Sequence, residues 1–136
     1  MRLLLDSNTA VDIMRRPRGA AAERFLATPP SEMATSIIVK AELLVGPNRK
    51  KALPIEMGKV ENFLKRVRIL PFDDACAAEF GRIAGFLMDA GTTVAGLDVQ
   101  IAATALVYGL IVVTRNARDF GRVPGLQIEN WITDMP

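Results

Sequence analysis

Short runs of apolar residues alternate along this chain with longer segments in which apolar residues recur every three or four positions. The first run, in Arg2–Leu5, ends at an aspartate, Asp6. Continuous apolar runs of this length are typical of strands buried on both faces, whereas the longer period is typical of amphipathic helices. The alternation predicts an α/β fold in three α/β/α layers, with a mostly parallel sheet of four to five strands. The predicted strands are Arg2–Leu5, Met33–Ile37, Val67–Leu70, Leu110–Val113 and, at an edge, Leu126–Ile128.

Prolines and glycines separate the helical segments. Pro17 and Gly19 break the first from the second, and Gly109 closes the last. We expect Asp73 or Asp74 to cap the helix that follows it. The predicted helices are Asn8–Met14, Ala20–Ala27, Val39–Val45, Ala52–Lys65, Ala75–Asp89 and Asp98–Tyr108, followed by a turn at Asn116–Phe120. We interpret residues 1–136 as one domain.

Composition narrows the possible functions. Half of the 136 residues are hydrophobic and 24% are charged, as in a compact globular protein. The apolar runs are shorter than the ~20 residues of a membrane span, and the N-terminus does not resemble a signal peptide, so we expect a cytoplasmic protein. There is no histidine and one cysteine, Cys76. A His-based zinc site, a Ser-His-Asp triad and an internal disulfide are therefore excluded.

The basic residues occur in clumps, although the net charge is only +2. Each clump alone is better explained as a solvated face. Together with a pocket of acidic residues, however, they fit a polyanionic partner such as a nucleic acid. The clumps are Arg15, Arg16 and Arg18; Arg49, Lys50 and Lys51; Lys65, Arg66 and Arg68; and Arg115, Arg118 and Arg122.

Two carboxylates lie near the ends of the first two predicted strands. Asp6 directly follows the first strand, at the edge of the sheet where open α/β folds bind their ligands. Glu42 shares a helix face with Ile38 and Val45, and a carboxylate among apolar residues is costly unless it is paired or binds a metal. The alternative for Glu42 is a position at the margin of that face, where the side chain reaches solvent.

Two more carboxylates belong to the last helix and the last inner strand. Asp98 opens an apolar helix, so it is either a helix N-cap or an inward-facing ligand. Asp119 follows the fourth strand, where a tight turn could present it beside Asn116, although aspartate is also common in turns for local reasons. The topology brings Asp6, Glu42 and Asp119 to one sheet edge. Asp98 joins them if the loop Gly91–Gly96 returns the chain to that edge.

Four carboxylates at one edge repel one another, and a divalent cation relieves that repulsion. Oxygen ligands without His or Cys suit Mg²⁺ or Mn²⁺. The chemistry that fits such a site is metal-assisted hydrolysis of a phosphodiester.

Ordered along nearly the whole chain, these pieces resemble the PIN-domain family, and in particular its VapC-type toxin ribonucleases. The matching stretches are Leu4-Leu5-Asp6-Ser7-Asn8; Ser36 with Ala41-Glu42-Leu43 and Gly46; Asp98 with Ile101-Ala102-Ala103; Thr114-Arg115-Asn116 with Asp119-Phe120; and Val123-Pro124-Gly125-Leu126 with Glu129-Asn130-Trp131.

The resemblance implies an endoribonuclease that uses Mg²⁺ or Mn²⁺, inhibits translation, forms a homodimer and is neutralised by a VapB-type antitoxin. It implies that Asp6, Glu42, Asp98 and Asp119 bind the metal and are catalytic. It further implies that Asn8, Ser36, Thr114 and Asn116 support the metal or the substrate.

Other interpretations fit less well. A receiver domain requires a lysine at the position of Thr114, and a haloacid-dehalogenase-type phosphatase requires a second aspartate at the position of Asn8. Neither a Walker motif nor a Gly-x-Gly-x-x-Gly motif is present. A non-catalytic scaffold of the same fold is disfavoured because all four acidic residues are there. A PIN nuclease that processes RNA without being a toxin is the remaining alternative.

Overall fold

All five strands run parallel in one sheet, as the alternating pattern predicted. The computed structural model describes residues 1–132. The strands are β1 (Leu3–Leu5), β2 (Met33–Ser36), β3 (Arg68–Leu70), β4 (Ile111–Val113) and β5 (Ile128–Glu129). Their order across the sheet is β3-β2-β1-β4-β5, and each neighbouring pair is parallel.

Strand β1 occupies the centre of the sheet. Its three leucines are fully buried, which explains why the run carries no polar residue. Leu3 pairs with Met33 on one side and with Ile111 on the other. The chain proceeds from β1 towards β2 and β3, then crosses back to β4, so the strand order reverses beside β1. In open α/β sheets the crevice at such a reversal, outside the carboxyl ends of the strands, is where ligands bind.

Helices cover both faces of the sheet. Because connections between parallel strands are right-handed, those leading from β1 to β3 lie on one face and the connection from β3 to β4 lies on the other. The three-layer α/β/α prediction is thus confirmed. The helices are α1 (Ser7–Arg15), α2 (Ala20–Ala27), α3 (Ile37–Val45), α4 (Pro54–Lys65), α5 (Asp74–Asp89), α6 (Gly96–Tyr108) and α7 (Ala117–Phe120). Short 3₁₀ turns occupy Pro30–Glu32 and Gly46–Asn48.

Helices α5 and α6 form an antiparallel hairpin. Tyr108, the last residue of α6, donates a hydrogen bond from Oη to Asp73 Oδ2 at the start of α5, over 3.2 Å. Because α6 ends just before β4 begins, α5 starts near the amino edge of the sheet and runs towards the carboxyl edge. The chain's return to that edge is therefore made along α5. The loop after α5 only reverses its direction, and Gly96, expected in that loop, is the first residue of α6.

Helix starts follow local capping chemistry. Asp73 caps α5, because its Oδ1 accepts from the Cys76 backbone N–H over 3.0 Å. Helix α4 begins at Pro54 and not at Ala52, since proline suits the first helical position and Glu56 bonds back to the Leu53 N–H. Within residues 1–132, no helix has the length and apolar character needed to cross a bilayer.

Candidate active site

Asp6 lies at the junction of β1, β4 and α1. Its backbone N–H donates to Val113 O over 3.1 Å, which continues the β1–β4 ladder one residue past the strand. Its carboxylate caps α1 by accepting from the Thr9 N–H over 2.9 Å. Only 3% of Asp6 is exposed, and burial raises the pKa of its carboxyl group, an effect that hydrogen bonds from Thr114 and Thr9 partly offset and the charge of Glu42 adds to.

Glu42 lies at the margin of the buried face of α3. That face is formed by Val39 and Leu43, while Val45 is 63% exposed. The predicted apolar face through Val45 is therefore wrong, because α3 turns a different side towards the sheet. Glu42 is half-buried, and its Oε1 accepts a hydrogen bond from Ser7 Oγ over 2.6 Å. That bond ties α3 to the first residue of α1 and places Glu42 beside Asp6.

Asp98 belongs to the first turn of α6 and does not cap the helix. The N-cap position is Ala95, three residues upstream of Asp98, and it makes no side-chain capping bond. Asp98 is half-buried. Burial and then repulsion from Asp6, Asp119 and Glu42 raise the pKa of its carboxyl group, whereas a hydrogen bond from Asn116 lowers it. All four predicted carboxylates therefore share one electrostatic neighbourhood.

Asn116 bridges two of these carboxylates. Its Nδ2 lies 3.1 Å from Asp119 Oδ2 and 3.4 Å from Asp98 Oδ2, so the amide donates to both. Its Oδ1 accepts from the Asp119 N–H over 3.4 Å and thereby caps α7. The Asn116 N–H in turn donates to Thr114 Oγ1 over 2.9 Å. The turn after β4 thus presents Asn116 and Asp119 on one side, as the spacing predicted.

The other supporting residues predicted from the sequence occupy different places around this edge. Ser36 is buried at the end of β2, where its Oγ accepts from the Ile38 N–H over 3.0 Å and caps α3. Thr114 is buried at the end of β4 beside Asp6. Asn8 is exposed on the first turn of α1 and lines an adjoining cavity. Their roles towards a metal or a substrate stay predictions.

Two hydroxyl residues that sequence reasoning did not select also hold the site together. Ser7 orients Glu42, as described above. Thr9 Oγ1 donates to Val113 O over 3.1 Å and so fastens α1 to β4. The spacing of Asp6 and Thr9 contained a signal, because a side-chain acceptor three residues before a helical N–H is a capping pattern. Nothing in the sequence pairs Ser7 with Glu42.

The donor set fits a hard divalent cation. It consists of carboxylate, amide and hydroxyl oxygens. The negative charges of neighbouring carboxylates contribute to the raised pKa of Asp6 and of Asp98, and a bound cation would counteract that contribution. Among residues 1–132, however, no three acidic side chains stand close enough together to form a preformed metal cluster. The four carboxylates are close enough for their charges to interact, but they are not arranged around a single point.

Comparison with known proteins shows which family this chain belongs to. The PIN domain family model matches residues 3–126. The tRNA(fMet)-specific endonuclease VapC of Salmonella typhimurium is 35% identical over 131 residues, covering 96% of this chain and 98% of that protein. Ribonuclease VapC2 of Haemophilus influenzae is 33% identical over 132 residues, covering 97% and 99%.

Solved structures show the same likeness. The DNA-bound VapBC complex of Salmonella typhimurium contains a chain with a TM-score of 0.90 and 35% identity, covering 96% of this chain and 98% of that one. VapBC2 of Rickettsia felis, bound to a fragment of its promoter, gives a TM-score of 0.88 at 28% identity, with 96% and 99% covered. This chain therefore belongs to the PIN domain family and, within it, to the VapC proteins.

Proposed function

We propose that this protein is a Mg²⁺- or Mn²⁺-dependent endoribonuclease that acts as the toxin of a toxin–antitoxin module. The proposal rests on the groups that surround Asp98. Three other carboxylates, Asp6, Asp119 and Glu42, act on its charge at the crevice where the strand order reverses. Such a concentration of negative charge would repel an RNA phosphate unless a cation lay between them.

The residues divide into two groups by what they would do. Asp6, Glu42, Asp98 and Asp119 would hold the cation. The chemistry that a bound divalent cation supplies is activation of water and neutralisation of charge on the phosphate. Asn116 orients Asp98 and Asp119 through its amide, and Thr114 orients Asp6 and Asn116. Asn8, exposed at the rim, would contact the substrate, and Ser36 would fix the start of α3 and through it the place of Glu42.

The biological role is proposed from the relatives. Chains similar to this one occur in solved VapBC complexes, so we propose that a VapB-type antitoxin binds and neutralises this protein. The Salmonella typhimurium relative is named for cleaving tRNA(fMet), which makes initiator tRNA the first substrate to test. Cleavage of RNA would inhibit translation in the cytoplasm, and we expect the active form to be a homodimer.

Cleavage assays test the metal mechanism. Purified protein should cut initiator tRNA or messenger RNA in Mg²⁺ or Mn²⁺ and should stop in EDTA. Asp6→Asn and Asp98→Asn should each lower the rate by more than about 100-fold, because each removes a proposed ligand. Asp89→Asn is the matched control, since Asp89 is an exposed aspartate at the end of α5. Equal cleavage with and without EDTA would refute the metal mechanism.

Expression tests the role as a toxin. Induced expression should arrest growth, and co-expression of a small gene immediately upstream should restore it. The Asp98→Asn variant should not arrest growth at the same protein level. A protein that cleaves RNA in vitro but neither slows growth nor has such a neighbouring gene would instead be a nuclease of RNA processing.

A further inference from the structure

A cavity adjoins the candidate active site and extends away from it along α1. We call this cavity, of about 380 Å³, the α1 groove. Helices α1, α3 and α4 border it, and Ser7, Asn8 and Glu42 line the end next to the carboxylates. A volume in this range is typical of a small-ligand site. A substrate positioned at the carboxylates therefore has a continuous path into the groove.

Two basic side chains line the groove beyond that end. Arg15 is the last residue of α1, eight residues after Ser7, which at the rise of an α-helix is about 12 Å along the axis. Lys59, on α4, lines the same groove. Within residues 1–132, neither Arg15 nor Lys59 forms an ion pair with a carboxylate. Their charges are thus available to an anionic ligand.

The two carboxylates that line the groove each accept a hydrogen bond from a neighbouring group. Glu56 Oε2 accepts a hydrogen bond from the Leu53 N–H over 2.6 Å, which caps its own helix α4. Glu42 accepts from Ser7 and points its charge to the active-site end. Apart from Glu42 at the active-site end, the charged residues that line the groove are two basic side chains, Arg15 and Lys59, and one acidic side chain, Glu56, so the charge there is net positive.

The walls between the two ends are apolar. Val11 and Met14 contribute from α1, and Leu43 and Val60 from α3 and α4. An apolar surface between a cationic end and a metal-binding end suits a nucleotide, whose base is flat and apolar on its faces and whose phosphates are anionic. A second cavity, of about 320 Å³ between α1, α2 and α4, is lined mainly by apolar residues and does not reach the carboxylates.

We propose that the α1 groove binds the RNA nucleotide that flanks the scissile phosphate, with Arg15 and Lys59 contacting the backbone phosphate beyond it and Val11, Met14 and Val60 contacting its base. The proposal rests on the proposed ribonuclease function and assigns Arg15 and Lys59 as substrate-positioning residues. Because they act away from the reacting phosphate, their loss weakens RNA binding and does not disturb the carboxylates.

Paired variants test the assignment. Arg15→Gln and Lys59→Gln should each lower kcat/KM on single-stranded RNA about tenfold, mainly through KM, because each removes one charge-assisted contact. Arg82→Gln is the matched control, since Arg82 is an exposed arginine on α5, belongs to none of the basic clumps and does not line the groove. Binding of a labelled single-stranded RNA in EDTA, measured against KCl concentration, provides a readout that does not depend on cleavage. The slope of log K against log salt should fall by about 0.7 for each variant.

The outcomes separate this inference from the function on which it rests. If the wild type cleaves no RNA, the proposed function fails. If the wild type cleaves RNA and the Arg15→Gln and Lys59→Gln proteins behave like Arg82→Gln in both assays, the function stands and the groove assignment is overturned. RNA cleavage and binding at wild-type levels, together with lost binding of the antitoxin, would show that the groove serves the protein partner instead. Circular dichroism checks that each variant remains folded. The assays are also repeated with Arg15→Lys, which keeps the positive charge and should retain most activity.

Discussion

At the scale of single residues, the site depends on carboxylates placed where their charges are costly. Asp6 is buried at the end of β1, and Asp98 is half-buried with three carboxylates around it. Burial and repulsion both favour the protonated form, so the folded protein binds these protons more tightly than the unfolded chain does. The ionised carboxylates therefore lower the stability of the folded protein, and the same charges attract a cation.

The pH dependence of stability should reveal this cost. A carboxyl group whose pKa is raised on folding stabilises the folded protein most at pH values below its ordinary pKa of 3.8. This contribution to stability is lost as the pH rises through the raised pKa. We expect the Asp98→Asn protein to become more stable than the wild type as the pH rises from about 4 to about 7 in metal-free buffer. Urea unfolding at several pH values measures this. A difference that stays constant with pH would contradict it.

Asn116 offers a sharper residue-scale test, because one atom changes. Asn116→Asp replaces the Nδ2 donor between Asp98 and Asp119 with an oxygen of a fifth carboxylate, while aspartate can still cap α7. Loss of the bridge should lower ribonuclease activity about 10- to 100-fold, the range seen when a group that orients metal ligands is removed. Cleavage rates over a Mg²⁺ titration measure the effect. Unchanged rates would mean that the bridge does not position the carboxylates.

At the scale of elements, the end of the described chain is fastened to α2 by a small polar cluster. Glu129 Oε1, in β5, accepts from Arg24 Nη2 over 2.7 Å and from Trp131 Nε1 over 2.8 Å. The Arg24 guanidinium also lies 5.4 Å from the centre of the Trp131 ring. The short edge strand β5 is thus held by side chains as well as by its two-residue ladder.

Substitutions at Trp131 should separate the packing of this cluster from its hydrogen bond. Trp131 is 3% exposed, so Trp131→Ala should lower the free energy of unfolding by about 3–5 kcal/mol. Trp131→Phe keeps an aromatic ring but loses the donor to Glu129, and should cost about 1 kcal/mol for the hydrogen bond plus part of the ring's packing. Urea denaturation measures both. Equal losses for the two variants would mean that the ring retained by Trp131→Phe contributes nothing and that the hydrogen bond to Glu129 alone fastens the tail.

At the scale of the whole molecule, a parallel sheet with a reversed strand order gathers residues that are far apart in the sequence. Ser7 and Glu42 are 35 positions apart, and Asn116 and Asp98 are 18 positions apart, yet each pair is within hydrogen-bonding distance. A ligand bound among these residues contacts β1, α3, α6 and the turn after β4 at once. Its binding should therefore stabilise the entire fold.

Thermal unfolding tests this coupling. Mg²⁺ or Mn²⁺ at about ten times its dissociation constant should stabilise the folded protein by about 1.4 kcal/mol, and EDTA should reverse the rise in Tm. The matched control is KCl at the same ionic strength, which should produce a smaller rise. The Asp98→Asn protein should show little response to either cation. A Tm that does not change with Mg²⁺ or Mn²⁺ would indicate that the four carboxylates do not form a metal site.

Much of the fold can be predicted from local sequence patterns. The leucine run at β1, the alternation of strands with helices and the breakers between them predict the parallel sheet, because a buried strand must be apolar on both faces. Asp73 was identified as a candidate cap for the same kind of reason, since capping depends on residues three positions apart. The positions of Asp6 and Asp119 just after strands follow once those strands are known.

What the sequence by itself determined is therefore the set of elements, their order and the identity of four carboxylates in unusual positions. The tertiary structure alone decided which side of α3 faces the sheet, that α6 begins at Gly96, that α5 returns the chain to the site, and that Ser7 and Asn116 hold the acidic side chains. These features depend on contacts between distant segments, where packing free energies of several kcal/mol outweigh the small preferences that local sequence expresses.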